Sequence, residues 1–349
     1  MSSVAAEQGK RPMSGNAVLE REWVTPGLAL TFASSAFAIM FVPNPQGLIP
    51  ALNILPAWLA AATITVSIYG LILAGMRGVD KPLAELRKLG LVNVAALFLA
   101  FTLTGLNMIA FMWMKPLLNY LVPFTADPLL ADLDYLLFFG NDPFKLLAWL
   151  NFPYSGIVYH QTWFVMIILC LTIVIASPKS RERSALLMTY FTLWSVIAPV
   201  MHTMLPAAGP IFFERMGYGD RFATLAPGPE TMQVADYLWA IYSMKTFGAG
   251  SGISAMPSMH IAMTSWVLLV IWTLSRRLLV PGLIGATIIY LLSISLGWHY
   301  AVDGIVAAAC AFGCYHFFLR VYKGKPRHSE IAGQQPAIAN QPGFAPPAP

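Results

Sequence analysis

The sequence predicts an all-α polytopic membrane protein of about eight transmembrane helices, on three observations: composition, the length of its uncharged runs, and the placement of its basic residues. Of 349 residues, 57% are hydrophobic and 11% charged, whereas a soluble domain carries about a quarter charged residues. A helix needs roughly 20 apolar residues to cross the hydrocarbon core. Eight runs approach that length, at 27–43, 57–76, 92–114, 156–177, 184–205, 257–274, 280–298 and 300–319, and Asp303 is the one charged residue in any of them. Backbone groups find no water in lipid, so only helices or closed barrels cross, and these runs lack the alternation of barrel strands.

The first run follows Arg21 and Glu22, has no small-residue cleavage site after it and is trailed by Pro43 and Pro45. It reads as a retained span and not as a signal peptide. With the N-terminus inside, the cytoplasmic segments hold Lys10, Arg11 and Arg21, then Arg77, Lys81, Arg87 and Lys88, then Lys179, Arg181 and Arg183, then Arg276 and Arg277, then Arg320, Lys323, Lys325 and Arg327. Those are sixteen of the twenty-one basic residues, against Lys115, Lys145, Arg215, Arg221 and Lys245 outside. The positive-inside rule therefore predicts both termini in the cytoplasm. The net charge of +5 follows the membrane, and no basic stripe is left over for nucleic acid.

Cys170, Cys310 and Cys314 all lie inside proposed spans and read as packing residues without a disulfide. Residues 1–22 form a polar leader, 23–90 carry two N-terminal spans, and 323–349 form a polar, Pro/Ala-rich tail; leader and tail are expected to be disordered. Two outer segments exceed what a connection needs. Residues 126–150 carry leucines at helical spacing among Asp132, Asp134 and Asp142, which predicts one or two short interfacial helices, with Asp134 an interfacial or capping residue. Residues 206–256 begin PAAGPIFFERMGYGDRF and later read YLWAIYSMKTF, a folded loop with a short aromatic helix placed to cap a site.

A charged group inside a span is a functional candidate, and Asp303 stands four residues after His299 in GWHYAVDGI. Side chains at i and i+4 share a helix face, so Asp303 is placed to accept the proton on one imidazole nitrogen and aim the other at a site. The same pair would also serve as a hydrogen bond between two buried polar groups. The second element is SGISAMPSMHIAM, residues 251–263. Pro257 suits a first helical position, and the first-turn amides, Met259 among them, with the hydroxyl of Ser258, form an anion-receptive helix start. His260, in that turn, is suited to give a proton to a leaving oxygen. A capped helix start that happens to hold a histidine has the same pattern. The charge-derived topology brings His260 and His299 to one membrane face, the non-cytoplasmic one.

PSMH at 257–260, an antiparallel pair of spans and HYAVD at 299–303 together resemble the type 2 phosphatidic acid phosphatase superfamily, most clearly over about 199–319. The resemblance implies a six-span core, here the third to eighth spans within 91–322. It also implies a phosphohistidine formed on His299, with Asp303 orienting it and His260 protonating the leaving group, and no cofactor. The family's phosphatases usually carry KxxxxxxRP and SRxxxxxHxxxD. Here the first motif's counterpart is PAAGPIFFERM, and Leu292 and Ser293 stand where the last motif has Ser and Arg. A phosphomonoester bears about two charges near neutral pH and a diester one, so the missing arginines favour a diester and head-group transfer. WHYxxD and LDYLLFFGNDP look like the inositol-phosphorylceramide synthase branch. The implied partners are a phospholipid or sphingolipid and the bilayer; oligomeric state is left open.

Lys245 and Arg215 are the expected phosphate ligands beside Ser258 and Met259, with Arg221 a further candidate; each is also an ordinary loop cation. His160 and His202 lie near outer ends of spans, as interface or supporting residues; a four-histidine metal site with His260 and His299 is the other reading, and no metal is assigned. The competing activities are a lipid phosphate or diphosphate phosphatase using water, and a non-enzymatic proton-coupled transporter built on His299 and Asp303.

Overall fold

The computed structural model describes residues 19–42, 44–76 and 90–323, and every regular element in that part is helical. The leader up to residue 18, the 77–89 connection with Arg77, Lys81, Arg87 and Lys88, and the tail from residue 324 lie outside the described residues. Seven helices are long and apolar enough to cross a bilayer. They are α1 (Arg21–Phe41), α2 (Ile54–Met76), counted with the turns before it as Gln46–Ile72, α3 (Gly90–Leu121), α5 (Ser155–Ala176), α6 (Arg181–Met204), α9 (Leu279–Ser295), counted with the turn before it as Arg276–Ser295, and α10 (Ala301–Lys323). Two further helices, α4 (Asp127–Leu137) and α7 (Pro229–Ser243), lie between them in the chain. The protein is a polytopic, all-helical membrane protein.

The expected span at 257–274 is α8 (Met259–Leu274), only 16 residues long. It occupies the middle of the bundle, packed on α5, α6, α9 and α10. Trp266 is fully buried there and its indole N–H donates to the Leu186 carbonyl at 2.8 Å. The chain before it is not helical, and irregular backbone at depth is tolerated where it lines a cavity. Pro257 does not open the helix as expected. It precedes the cap, and Ser258 is the N-cap residue, its Oγ accepting the Ile261 N–H at 3.3 Å.

The two N-terminal spans pack directly against the core. α1 lies along α3 and α6. At one end Arg183 donates to Glu20 at 2.7 Å, both side chains buried. Deeper in the bundle, the Asn107 amide donates to Thr31 Oγ1 at 3.1 Å and to Ser195 Oγ at 2.7 Å, joining α1, α3 and α6 by uncharged polar groups. α2 sits against α3 and α5, where Trp58 donates to the Phe101 carbonyl at 3.2 Å. Outward-facing residues such as Phe32 and Leu91 are large, apolar and exposed, as a lipid solvent requires.

The 126–150 segment forms α4 followed by the short turns Pro143–Leu146 and Ala148–Leu150. Asp127 and Asp134 share one buried face of α4. Asp127 accepts from the Ala208 and Gly209 N–H groups, each at 2.8 Å, and from the Tyr300 hydroxyl at 2.9 Å. Asp134 accepts from the Ala301 and Val302 N–H groups at 2.6 and 2.9 Å. Those two amides open α10 and have no intrahelical acceptor, so a carboxylate from another helix caps it.

Burial pushes the Asp134 carboxyl up to about 6, outweighing its two amide donors. The folded state then holds this proton more tightly than the unfolded chain, so its contribution to stability falls as pH rises through that window. Thermal unfolding of the detergent-solubilised protein at about pH 4 and pH 7 should show a smaller Tm difference for Asp134→Asn than for the wild type. An unchanged difference would mean that Asp134 is not the titrating group.

Candidate active site

His299 sits in the turn between α9 and α10, and this turn is held from several directions. Gly297 takes φ +76°, a left-handed conformation that L side chains rarely adopt. Its carbonyl accepts the Ile211 N–H at 2.9 Å, while the His299 N–H donates to the Ser293 carbonyl at 3.2 Å. Asp134 and Asp127 hold the following residues. The imidazole is buried.

His299 Nδ1 lies 2.8 Å from the Ala255 carbonyl oxygen and 3.7 Å from Asp303 Oδ2. A carbonyl only accepts, so Nδ1 carries the hydrogen and Nε2 keeps a free lone pair. The direct Asp303 hydrogen bond expected from the i,i+4 spacing is therefore replaced by one to Ala255. Asp303 instead accepts the Tyr300 N–H at 2.9 Å, and its Oδ1 has no partner among the described residues. Fully buried, it remains the carboxylate beside the ring.

His260 stands one residue into α8, its ring centroid 6.0 Å from that of His299. Trp163 on α5 donates to the His260 carbonyl at 3.0 Å, and the Tyr159 ring stacks on the imidazole at 4.5 Å. Also from α5, His160 places Nδ1 3.2 Å from His260 Nε2. His202 belongs elsewhere: Nδ1 meets Ser254 Oγ at 3.0 Å and Nε2 the Asn119 amide at 3.3 Å. Asn119 in turn clamps both backbone groups of Ile253, accepting at 2.6 Å and donating at 2.7 Å. Among the described residues no cluster of His, Cys, Asp or Glu is placed to hold a metal.

These groups surround a cavity of about 440 Å³ that His160, His260 and His299 line together. Its other walls are largely apolar and aromatic, with Phe111 from α3, Trp163 from α5, Trp194 from α6, and Tyr237 and Leu238 from α7. The aromatic helix of the 206–256 segment thus forms one wall.

A family model described as the PAP2 superfamily matches residues 138–317, just over half of the 349-residue chain. The chain belongs to the PAP2 superfamily. No curated protein and no solved structure matched it. PAP2 proteins are of phosphatase or phosphotransferase type, and the matched stretch includes both PSMH and HYAVD. It begins after α3, so the third span lies outside the match.

The cations expected at a PAP2 phosphate site stand apart from this cavity. Arg215 pairs with Asp236 beside the Trp239 ring. Arg221 is engaged by Asp132, Asp142 and the Ala131 carbonyl. Lys245 is exposed on a turn with φ +50°. Ser258 is fully buried and its hydroxyl is used as the cap, whereas Met259 reaches the wall.

Among the described residues, the one Lys or Arg lining the cavity is Lys115 on α3, expected from the sequence in an outside segment. α3 runs 32 residues, past the expected end at 114, and carries Lys115 within the helix. Gly252, at φ +94°, lies against it: a Cβ there would stand 2.7 Å from Pro116 N and 2.9 Å from Lys115 Cγ. Pro116 has no N–H to obstruct this approach.

Gly252→Ala is expected to force the irregular 251–256 segment and α3 apart and to adopt an unfavourable φ. The Tm should fall by several degrees, equivalent to about 1–3 kcal/mol, with a parallel loss of turnover. Full stability in a thermal scan would show that the close approach is not required.

Proposed function

We propose that the protein transfers a phospho-head-group from one lipid to another through a phosphohistidine on His299. The observation that supports this reading is the cavity: His260 and His299 with ring centroids 6.0 Å apart, His160 beside them, Lys115 as the one cation among the described lining residues, and walls that are otherwise largely apolar. In the first half-reaction the Nε2 lone pair of His299 forms a bond to phosphorus, and the bond to the leaving oxygen breaks. That oxygen takes a proton from His260. The ring of His299 becomes cationic while Nδ1–H stays on the Ala255 carbonyl, and Asp303, 3.7 Å away, stabilises the charge in a site where little water screens it. In the second half-reaction an acceptor hydroxyl attacks phosphorus and gives its proton to His260, and the P–N electron pair returns to Nε2.

One lysine balances a singly charged phosphodiester and leaves a dianionic monoester under-neutralised. This supports a diester substrate, as does the absence of arginine at Leu292 and Ser293. The resemblance of WHYxxD and LDYLLFFGNDP to the inositol-phosphorylceramide synthase branch supports a sphingolipid or phospholipid as one partner. The cluster of basic residues at alternate loops supports termini in the cytoplasm and a cavity on the opposite side.

Purified protein supplied with a phospholipid labelled in its head group, with and without a hydroxyl-bearing lipid, tests the reaction. Label should move to the acceptor lipid; release of inorganic phosphate alone would replace the transferase with a phosphatase. His299→Ala should lower turnover below detection, and His260→Ala should lower it about 10²- to 10⁴-fold on an ordinary lipid leaving group. Unchanged turnover in both would refute the catalytic assignment.

Lys115→Met should raise KM for a phosphodiester by about 10-fold or more, the loss of a charge-assisted contact of 1.5–3 kcal/mol. An unaltered KM with reduced Tm would make Lys115 a packing residue only.

A further inference from the structure

The two histidines of the cavity have partners of different chemical character. His299 is backed by a carbonyl and a carboxylate, groups that attract positive charge. His260 is backed by another imidazole. Three residues of one α5 face surround it: Tyr159 stacks on the ring, Trp163 holds its carbonyl, and His160 meets Nε2. The ring is thereby fixed with Nε2 toward α5, which leaves Nδ1 for any group in the cavity.

A nitrogen-to-nitrogen hydrogen bond contains one hydrogen, so one imidazole donates and the other accepts. When His260 is the imidazolium required of a general acid, Nε2–H must donate and His160 Nδ1 must accept. His160 is then neutral, with its own hydrogen on Nε2. We propose that His160 is the positioning residue of the general acid: it anchors Nε2–H of His260 and so keeps the transferable proton on Nδ1, facing the leaving oxygen.

The proton balance follows directly. As the P–O bond breaks, the Nδ1–H bond breaks and the O–H bond forms, and the Nε2–H donated to His160 is unchanged. The acceptor hydroxyl later restores Nδ1–H. A carboxylate in place of His160 would also orient the ring but would hold the imidazolium proton more tightly. A neutral imidazole orients without that electrostatic pull, which suits a group whose task is to give a proton up. The surrounding site is consistent with this polarity, since the other charged group on the wall is the cation Lys115.

This inference rests on His260 acting as the acid, and the experiment separates the two. Full-length protein is assayed with two long-chain phosphodiesters, one with an alkyl leaving group and one with p-nitrophenol, which departs without needing a proton. His160→Phe should lower the first-turnover rate of leaving-group release from the alkyl diester about 10- to 100-fold, part of the 10²–10⁴ that general acid catalysis supplies, with KM within about 2-fold; the first turnover is read because His260 also serves the acceptor step whichever group has left. On the p-nitrophenyl diester its loss should be several-fold smaller. His160→Gln, which keeps a neutral acceptor, should recover most of the rate, and it remains informative where the Phe variant fails to fold. Equal losses on both substrates, or no loss in either variant, would overturn the role of His160. His260→Ala, run in parallel, should show the same leaving-group dependence more strongly. If it shows none, the acid assignment itself fails; if it alone shows it, only the positioning role fails.

Discussion

Two carboxylates on one face of α4 hold together the end of the molecule that carries His299. Asp127 binds the backbone of residues 208 and 209 and the hydroxyl of Tyr300, and Asp134 binds the first amides of α10. Both are buried, and a buried charge lacking hydrogen-bond partners costs several kcal/mol. Each carboxylate therefore finds its donors only when the 206–212 loop, the 297–302 turn and α4 are all in place. The turn that carries His299 inherits its position from this constraint: His299 lies between Gly297, held by Ile211, and the residues capped by Asp134. A helix that is not itself a span thus fixes where the last span begins.

The cavity combines two demands that oppose each other. For the proposed reaction a phosphate group needs positive charge, and a lipid chain needs an apolar wall. The chain meets them by concentrating polarity on a small area, three imidazoles and one lysine, within walls of Phe111, Trp194 and Leu238. In such surroundings each electrostatic contact is stronger than in water. On the proposed reading the number of charges matters more than their exposure, and a single lysine in place of arginines would select a singly charged ester.

Much of the fold was legible in the sequence because a bilayer imposes length and polarity on whatever crosses it. Seven spans follow from that rule. The eighth, α8, is shorter than the rule requires, and the irregular segment that precedes it lines the cavity. His260, His299 and Asp303 were legible because each lies in a short motif. Lys115 was not, because a search for uncharged runs ends a helix at its first charge; the apolar residues continuing after it, LLNYL, were the signal that α3 goes on. The partners of Asp127 and Asp134 lie 81 to 173 residues away, a distance that no local pattern bridges. The choice of Ala255 over Asp303 as the acceptor for His299 depends on differences under 1 Å between 2.8 and 3.7 Å, which residue spacing does not resolve.

The Glu20–Arg183 ion pair has a consequence for how the protein is made. The partners are 163 residues apart, and at 5–20 residues per second a ribosome needs roughly 8 to 33 s to pass from one to the other. For that interval α1 is already synthesised, yet the arginine it packs against does not exist. The N-terminal span must therefore wait beside the insertion machinery, or be held by α3 alone, until α6 arrives. Biogenesis of this chain is a process of deferred closure, in which the earliest helix is among the last to reach its final contacts.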